Sequence, residues 1–318
     1  MLDIKIIRQN PEKIREAAKA KRVEIDVNHI LAIDTKYREL LVEVQKIQQE
    51  RNVHSSNIHG KPTDAQMEKG REIKTRLEKQ EAALNAVKEE LDRELLKIPN
   101  PAKDDVKVGK DDTENDVIRT FGEPTKLNFK PLDHLELGEK LDIIDVETAA
   151  KVSGARFTYL KNEGALLEYA LLQFALNTLM PEGFTPIIPP VMIKIETMRG
   201  LGYMENGGDE DMYILDKEGL VMIATAEHAL VPMHKDDVIP KHKLPLRYVA
   251  YSPAFRREAG SYGKDTKGIL RVHQFNKVEM VSFVEEGKDD EEHEYLLGIE
   301  EKLFQALNLF FILFNLLF

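Results

Sequence analysis

The chain has 318 residues, 42% of them hydrophobic and 32% charged, with a formal net charge of −11 and no cysteine. That length fits about two domains at roughly 100–200 residues each, and the apolar share can support a packed core. The charge excludes a polycation wrapped on nucleic acid, and the lack of thiols excludes disulfides, zinc–thiolate sites and cysteine nucleophiles. Charge is uneven along the chain. Residues 1–98 hold 20 Lys+Arg and 18 Asp+Glu, net +2, which leaves 25 and 38, net −13, for residues 99–318. RNA contact would therefore have to come from local patches or shape. The start, MLDIKIIRQN, has no apolar stretch behind a basic end, so no signal peptide is expected.

From Val27 the apolar positions run Ile30, Ile33, Tyr37, Leu40, Val44 and Ile47, with steps alternating between three and four. This is a heptad pattern. Gly60 and Pro62 interrupt it, and Thr63 or Asp64 can cap a second helix with register Ile73, Leu77, Gln80, Leu84, Val87, Leu91, Leu95 and Ile98. The expectation is an antiparallel coiled-coil arm over about 27–98, each helix roughly 45–50 Å long at ~1.5 Å per residue. Lys46, Arg51, His54, Lys61, Lys69 and Arg71 gather near its tip with acids between them. The pattern alone favours a scaffold or oligomerisation element over a nucleic-acid binder.

Pro99 and Pro101 end the arm, so the N-terminal domain is placed at 1–101. Residues 102–132 read as a polar, acidic linker, and 133–309 as a globular core. Glu163–Met180 is an apolar helix, expected to be buried on most sides. GFTPIIPP (183–190) reads as a short strand whose prolines suit a sheet edge or an interface. LVMIATAEHAL (220–230) reads as a buried strand that breaks into a helix near Thr225. Residues 247–258 and 271–283 read as two antiparallel strands joined by the polar loop 259–270. The fold class is therefore α+β, an antiparallel sheet flanked by helices. Neither GxGxxG nor GxxxxGK[ST] occurs.

On the first of those strands Arg256 and Glu258 share a face, opposite Arg257. On the second, Arg271, His273, Phe275, Lys277 and Glu279 share one face, and Val272, Val278 and Met280 the other. A purely structural sheet would solvate the charged face, which gives no role to Phe275. As a site, the same face offers arginine for phosphate, an aromatic ring for a base and glutamate for an amine or ammonium. His273 reads as a satisfied strand residue. His293 in EEHEYLL lacks the second histidine of an HExxH metal site, and no metal ligands are assigned.

FRRE, the polar loop and RVHQFNKVEM together resemble motif 2 of the class II aminoacyl-tRNA synthetases. GFTPIIPP after an apolar helix resembles motif 1, the dimer-interface motif. VSGARF (152–157), Thr225-Ala226-Glu227 and the helical arm resemble the seryl-tRNA synthetases in particular. The likeness runs in order from Met1 to about Leu309. It implies a cytoplasmic class II homodimer, joined through Gly183–Pro190, with no membrane contact. The implied reaction uses ATP with Mg2+ to convert L-serine to seryl-adenylate, then transfers the seryl group to tRNA-Ser, with tRNA-Sec implied as a second acceptor. The arm would grip the long variable arm of that tRNA.

By the same match, Arg256 would meet the α-phosphate and the serine carboxylate. Glu258 would face the adenine amino group and Phe275 would stack on the adenine ring. Arg257, Arg271 and Val272 would line the ATP side. Thr225, Ala226, Glu227 and Glu279 would bind serine, and Arg256, Glu258 and Glu279 are the implied catalytic set.

The resemblance stops before motif 3. The last helix gives way to FFILFNLLF (310–318), in which eight of nine residues are Phe, Leu or Ile. Nine residues are far short of the ~20 needed to span a bilayer, and an exposed segment of this kind promotes aggregation. The expectation is a reading frame cut short, inactive or nearly so because part of the ATP site is missing. Two alternatives are a truncated relative that binds tRNA or a partner without adenylation, and a coiled-coil interaction protein. An active enzyme would show serine-dependent ATP–pyrophosphate exchange, lost in Arg256→Ala. A binding-only relative would keep tRNA-Ser binding that deletion of residues 27–98 removes, without exchange. An interaction protein would show neither, and robust exchange by the chain would overturn the expectation of inactivity.

Overall fold

The computed structural model describes residues 2–103, 106–204, 207–259 and 268–316. Most of the loop 259–270 lies outside the described residues, as do Leu317 and Phe318. The chain forms two compact units, Met1–Asn115 with Asn315–Phe318, and Asp116–Phe314.

The first unit opens with α1 (Ile4–Gln9) and α2 (Pro11–Ala20), followed by the long helices α3 (Val27–Ser56) and α4 (Asp64–Leu96). The heptad positions are the buried ones. Ile30 and Ile33 pack with Val87, Leu91, Leu95 and Ile98 at the base, together with Ile7 and Ile14 of the short helices. Val44 and Ile47 pack with Ile73 and Leu77 in a separate distal cluster. Each such side chain contributes roughly 1.5–3 kcal/mol of burial. Thr63 caps α4. Its hydroxyl accepts from the Gln66 N–H at 3.3 Å, and Gln66 Oε1 accepts from the Thr63 N–H at 2.9 Å, a reciprocal capping box. Buried Asp34 accepts from Arg8 at 2.7 and 2.8 Å and from Arg38 at 3.1 Å, which ties α1 to the arm.

The second unit contains β1 (Asp116–Phe121), α5 (His134–Lys140), β2 (Ile144–Asp145), α6 (Val146–Ser153), β3 (Tyr159–Leu160), α7 (Asn162–Leu179), β4 (Thr185–Ile187), β5 (Met192–Lys194) and α8 (Ile195–Gly200). It continues with β6 (Ile214–Leu215), β7 (Leu220–Met222), α9 (Glu227–Leu230), β8 (Leu246–Phe255), β9 (Gln274–Phe283), α10 (Asp289–Ala306) and β10 (Phe311–Asn315). The main sheet has the order β4-β8-β9. β8 and β9 are antiparallel, with Ala250 opposite Glu279, Ser252 opposite Lys277 and Ala254 opposite Phe275. A smaller antiparallel sheet, β5-β7-β6, stands beside it.

The α+β class is as the sequence implied, with three differences. β4 lies at the sheet edge but runs parallel to β8, Pro186 opposite Val249, so the main sheet is mixed. Local sequence sets a strand's faces, not the direction of its neighbour. α7 is not buried on most sides: Leu166, Leu167 and Tyr169 are 65%, 59% and 63% exposed, and it is Leu179 at its end that enters the core. Apolar composition does not say whether a helix is covered by its own chain. Lastly, the stretches read as linker and tail supply β1 and β10, which pair with each other, and Phe121 stacks on Phe311 at 5.3 Å.

The β8–β9 pair has two distinct sides. Val249, Val278 and Met280 pack with Leu179 of α7 and Ile299 of α10. Ala250 and Phe283, on the other side, pack with Ala226 and Leu230 of α9 at one end of the sheet. The remainder of that second side carries Ser252, Ala254, Phe275, Lys277 and Glu279. Gly183, at φ +90°, makes the left-handed turn that returns the chain from α7 into β4.

Candidate active site

The site begins where β7 meets the end of β8. The Phe255 N–H donates to Ile223 O at 2.9 Å, which docks the segment 223–227 alongside the sheet. Thr225, nearly buried, then projects toward β9. Its hydroxyl donates to Glu279 Oε2 at 2.5 Å and accepts from Lys277 Nζ at 3.1 Å and from the Glu227 N–H at 3.3 Å. Lys277 and Glu279 also form an ion pair. Thr225 and Glu279, 54 positions apart in sequence, are thus in direct contact. Lys277, which shares the face of Glu279 by strand alternation, is the cation between them.

Arg256 follows immediately after β8. Its Nε donates to Ala224 O at 3.3 Å, and its guanidinium carbon lies 5.1 Å from the centre of the Phe275 ring. A cation over an aromatic face is an attractive pairing, and here it leaves arginine and ring together on one surface. Glu258 lies beyond the strand with φ +53°, so simple alternation does not place it. Its carboxylate accepts from Arg271 Nη1 at 3.0 Å, and its carbonyl accepts from Arg156 Nη1 at 3.3 Å. The Arg257 N–H donates to Asp211 O at 2.9 Å, and Asp211 Oδ1 accepts from the Ala259 N–H at 3.0 Å. Two of the expected residues turn inward. Ala226 is fully buried against Leu230 and Tyr248, and Val272 is 6% exposed beside the hollow under Phe157 and Phe275.

His273 is a satisfied structural residue. Its Nδ1 is 3.0 Å from Arg256 O, and its ring packs against Phe157 and Tyr213.

Two side chains that pattern reading missed complete the pocket. Tyr203 donates to Glu227 Oε1 at 2.9 Å, and its ring packs on His228 at 4.3 Å. Burial, then Glu227 and Glu279, push the Tyr203 phenol up to about 12, so it remains a donor. Burial, then Arg256 and Lys277, push His228 down to about 4, so its imidazole is neutral near pH 7. Tyr203 carries no sequence signal, since it approaches through tertiary packing. His228 directly follows the TAE triplet, but a lone histidine beside a motif is usually packing.

Two cations, Arg256 and Lys277, thus stand beside the carboxylates Glu227, Glu258 and Glu279 and the ring of Phe275. Such a set can hold an anion, an ammonium group and a planar base. Among the described residues it offers no serine, cysteine or neutral histidine poised as a nucleophile–base pair.

Residues 1–102 match the seryl-tRNA synthetase N-terminal domain, and residues 213–316 match the tRNA synthetase class II core domain (G, H, P, S and T). The serine–tRNA ligase of Treponema denticola is 38% identical over 313 residues, which is 97% of this chain and 74% of that protein. That of Thermoanaerobacter pseudethanolicus is 41% identical over 315 residues, with the same 97% and 74% coverage. Among solved structures, the seryl-tRNA synthetase from Pyrococcus horikoshii complexed with ATP superposes with TM-score 0.84 at 38% identity, covering 98% of this chain and 76% of that one. The cytoplasmic serine–tRNA ligase from Naegleria fowleri in complex with AMP superposes with TM-score 0.83 at 26% identity, covering 100% and 75%. With its arm, its mixed sheet and identity of this extent over nearly its whole length, the chain belongs to the seryl-tRNA synthetases, the class II serine–tRNA ligases.

Proposed function

We propose that the surface formed by Thr225, Glu227, Arg256, Phe275, Lys277 and Glu279 binds serine and ATP side by side and aligns them for adenylation. A serine carboxylate oxygen attacks the α-phosphorus, the bond from that phosphorus to the bridging oxygen of the β-phosphate breaks, and pyrophosphate leaves. A ribose hydroxyl at the 3′ end of tRNA-Ser then attacks the seryl carbonyl and AMP leaves. The substrate supplies the nucleophile, so the protein contributes alignment and charge. Arg256 neutralises the α-phosphate and carboxylate. Phe275 gives its face to adenine, with Glu258 accepting from the adenine amino group and Arg257, Arg271 and Val272 bordering the nucleotide. Glu279, Thr225 and Glu227 take the serine ammonium and hydroxyl.

The observation that carries this reading is the Thr225–Glu279 contact beside Arg256. It sets the buried Thr225 hydroxyl and the half-buried Glu279 carboxylate next to the guanidinium of Arg256. Mg2+ would enter on the triphosphate, which needs only one or two carboxylates in addition. Among the described residues no group of three or more His, Asp or Glu is gathered to hold an ion by itself.

We assign tRNA-Ser to the arm, and a second copy of the chain to the exposed face of α7 and the adjoining Ile188, which is 89% exposed. We place the reaction in the cytoplasm, where aminoacyl-tRNA is consumed. Among the described residues no helix is long and apolar enough to cross a membrane.

The test is binding of a non-hydrolysable sulfamoyl mimic of seryl-adenylate to the 318-residue chain by calorimetry. Saturable binding is expected, with the alanyl mimic weaker by on the order of 100-fold or more, because it leaves buried polar groups unpaired. Arg256→Ala should weaken the seryl mimic by about 100-fold, the cost of a lost charge-assisted contact. Equal binding of seryl and alanyl mimics would overturn the assignment of serine to this pocket.

A further inference from the structure

His228 is 1% exposed, and neither strand alternation nor the TAE triplet gives it a task. Its bonding does. The peptide joining Ile223 to Ala224 is held at both ends. Its carbonyl accepts from the Phe255 N–H at 2.9 Å, and its N–H donates to His228 Nδ1 at 3.3 Å. The next carbonyl, Ala224 O, accepts from Arg256 Nε at 3.3 Å, and the next side chain, Thr225, bonds Glu279. Two residues further, Glu227 is held by Tyr203, whose ring packs on the imidazole at 4.3 Å. The His228 N–H itself donates back to Thr225 O at 3.2 Å, closing the turn. His228 therefore bonds both to the peptide at the start of the short segment that separates Arg256 from the Thr225–Glu227 element and to Thr225 within it.

We propose that His228 is a positioning residue: as a neutral hydrogen-bond acceptor it fixes the Ile223–Ala224 peptide, and so sets the spacing between the phosphate-facing Arg256 and the serine-facing Thr225 and Glu227. The inference rests on the adenylation reading above and deepens it. A ligand that spans both halves needs that spacing to be right, whereas a ligand that occupies only the nucleotide half does not. Burial of the ring and the cations Arg256 and Lys277 keep Nδ1 unprotonated, while Glu279 opposes them weakly. A protonated Nδ1 would present N–H to N–H and release the peptide.

The experiment compares two ligands on the 318-residue chain by calorimetry: the sulfamoyl mimic of seryl-adenylate, which spans both halves, and AMP, which fills one. His228→Leu keeps bulk but offers no acceptor. His228→Asn places its amide oxygen where Nδ1 stands. The expected result is that His228→Leu binds the mimic about tenfold more weakly, as for a buried N–H left without an acceptor, with AMP affinity within about twofold of wild type. His228→Asn should recover most of the mimic's affinity. If His228→Leu does not fold, His228→Gln, with its polar atoms one bond further out, should show the same selective loss.

Equal loss of both ligands would make His228 a packing residue and overturn the proposal, as would unchanged binding of the mimic in His228→Leu. Failure of the wild-type chain to bind the mimic at all would overturn the adenylation reading, and this inference with it.

Discussion

At the scale of single residues, the site is a set of charges whose positions depend on buried neighbours. His228 shows how far that reaches into stability. Its folded-state pKa, about 4, lies below the ordinary value of 6.5. As pH falls, the unfolded chain takes up the proton first. The stability that neutral His228 contributes is thus complete above about pH 6.5 and is lost as pH falls toward 4, by roughly 3 kcal/mol. Glu292 follows at lower pH: the Arg247 guanidinium, bonded to it at 2.6 and 2.7 Å, holds its carboxylate below the usual range, so its contribution is lost only under more acid conditions. Urea unfolding of the chain at about pH 7, 6, 5 and 4 should therefore show a steady fall, and His228→Asn should flatten it between about pH 6.5 and 4. A variant with the wild-type slope would show that the imidazole titrates normally. Thr225 was legible from sequence only through resemblance. Strand alternation placed Lys277, Phe275 and Glu279 on one face, but it misplaced the reason for Glu258, whose left-handed backbone breaks the alternation before Arg271 holds the carboxylate.

At the scale of elements, the legible parts are those whose partners lie nearby in sequence. The arm is one. A heptad stripe needs only another stripe to pack on, and the break with its Thr63 cap places that stripe directly downstream. Removing the cap tests this. Thr63→Ala leaves the N–H groups at the start of α4 unsatisfied and should cost about 1 kcal/mol, read as a lower urea midpoint of the far-ultraviolet helical signal. An unchanged midpoint would mean that tip packing, not the cap, starts the helix. β4 and α7 were less legible because their partners are remote. The parallel neighbour of β4 enters only after β5, β6, β7 and α9 have intervened, and the apolar face of α7 has no cover within the described residues of its own unit. We assign that cover to a second copy. Leu167→Glu puts a charge in the middle of the exposed face, where a packed interface tolerates none. The wild-type chain should sediment as a dimer and the variant as a monomer of unchanged helicity. A monomeric wild type would remove the assignment.

At the scale of the whole molecule, the two hydrophobic clusters of the arm suggest that its length serves a partner and not its own folding. The base cluster, with Val27, Ile30, Val87 and Leu91, also buries Ile7 and Ile14 and thereby holds the first unit together. The distal cluster, Val44, Ile47, Ile73 and Leu77, touches neither short helix. Cross-arm bonds from Gln80 to Glu43, Gln48 to Glu81 and Arg76 to Glu50 repeat along the distal half, so it is a regular, rigid extension. With a net charge of only +2 over residues 1–98, it cannot bind RNA by bulk attraction, whose strength follows the number of phosphates neutralised. A rigid projection of nearly neutral charge is suited to recognising the shape of a folded RNA. Replacing residues 44–82 with a short turn joins α3 to α4 at facing positions and leaves the base cluster intact. The shortened chain should fold, bind the seryl-adenylate mimic as the full chain does, and bind tRNA-Ser at least about tenfold more weakly in a filter assay, a loss of ~1.4 kcal/mol. The salt dependence of the remaining binding should change little, because few phosphate contacts are lost. Undiminished tRNA binding by the shortened chain would return the arm to the scaffold reading that its heptads favour by themselves. Loss of mimic binding would instead show that the distal arm supports the second unit.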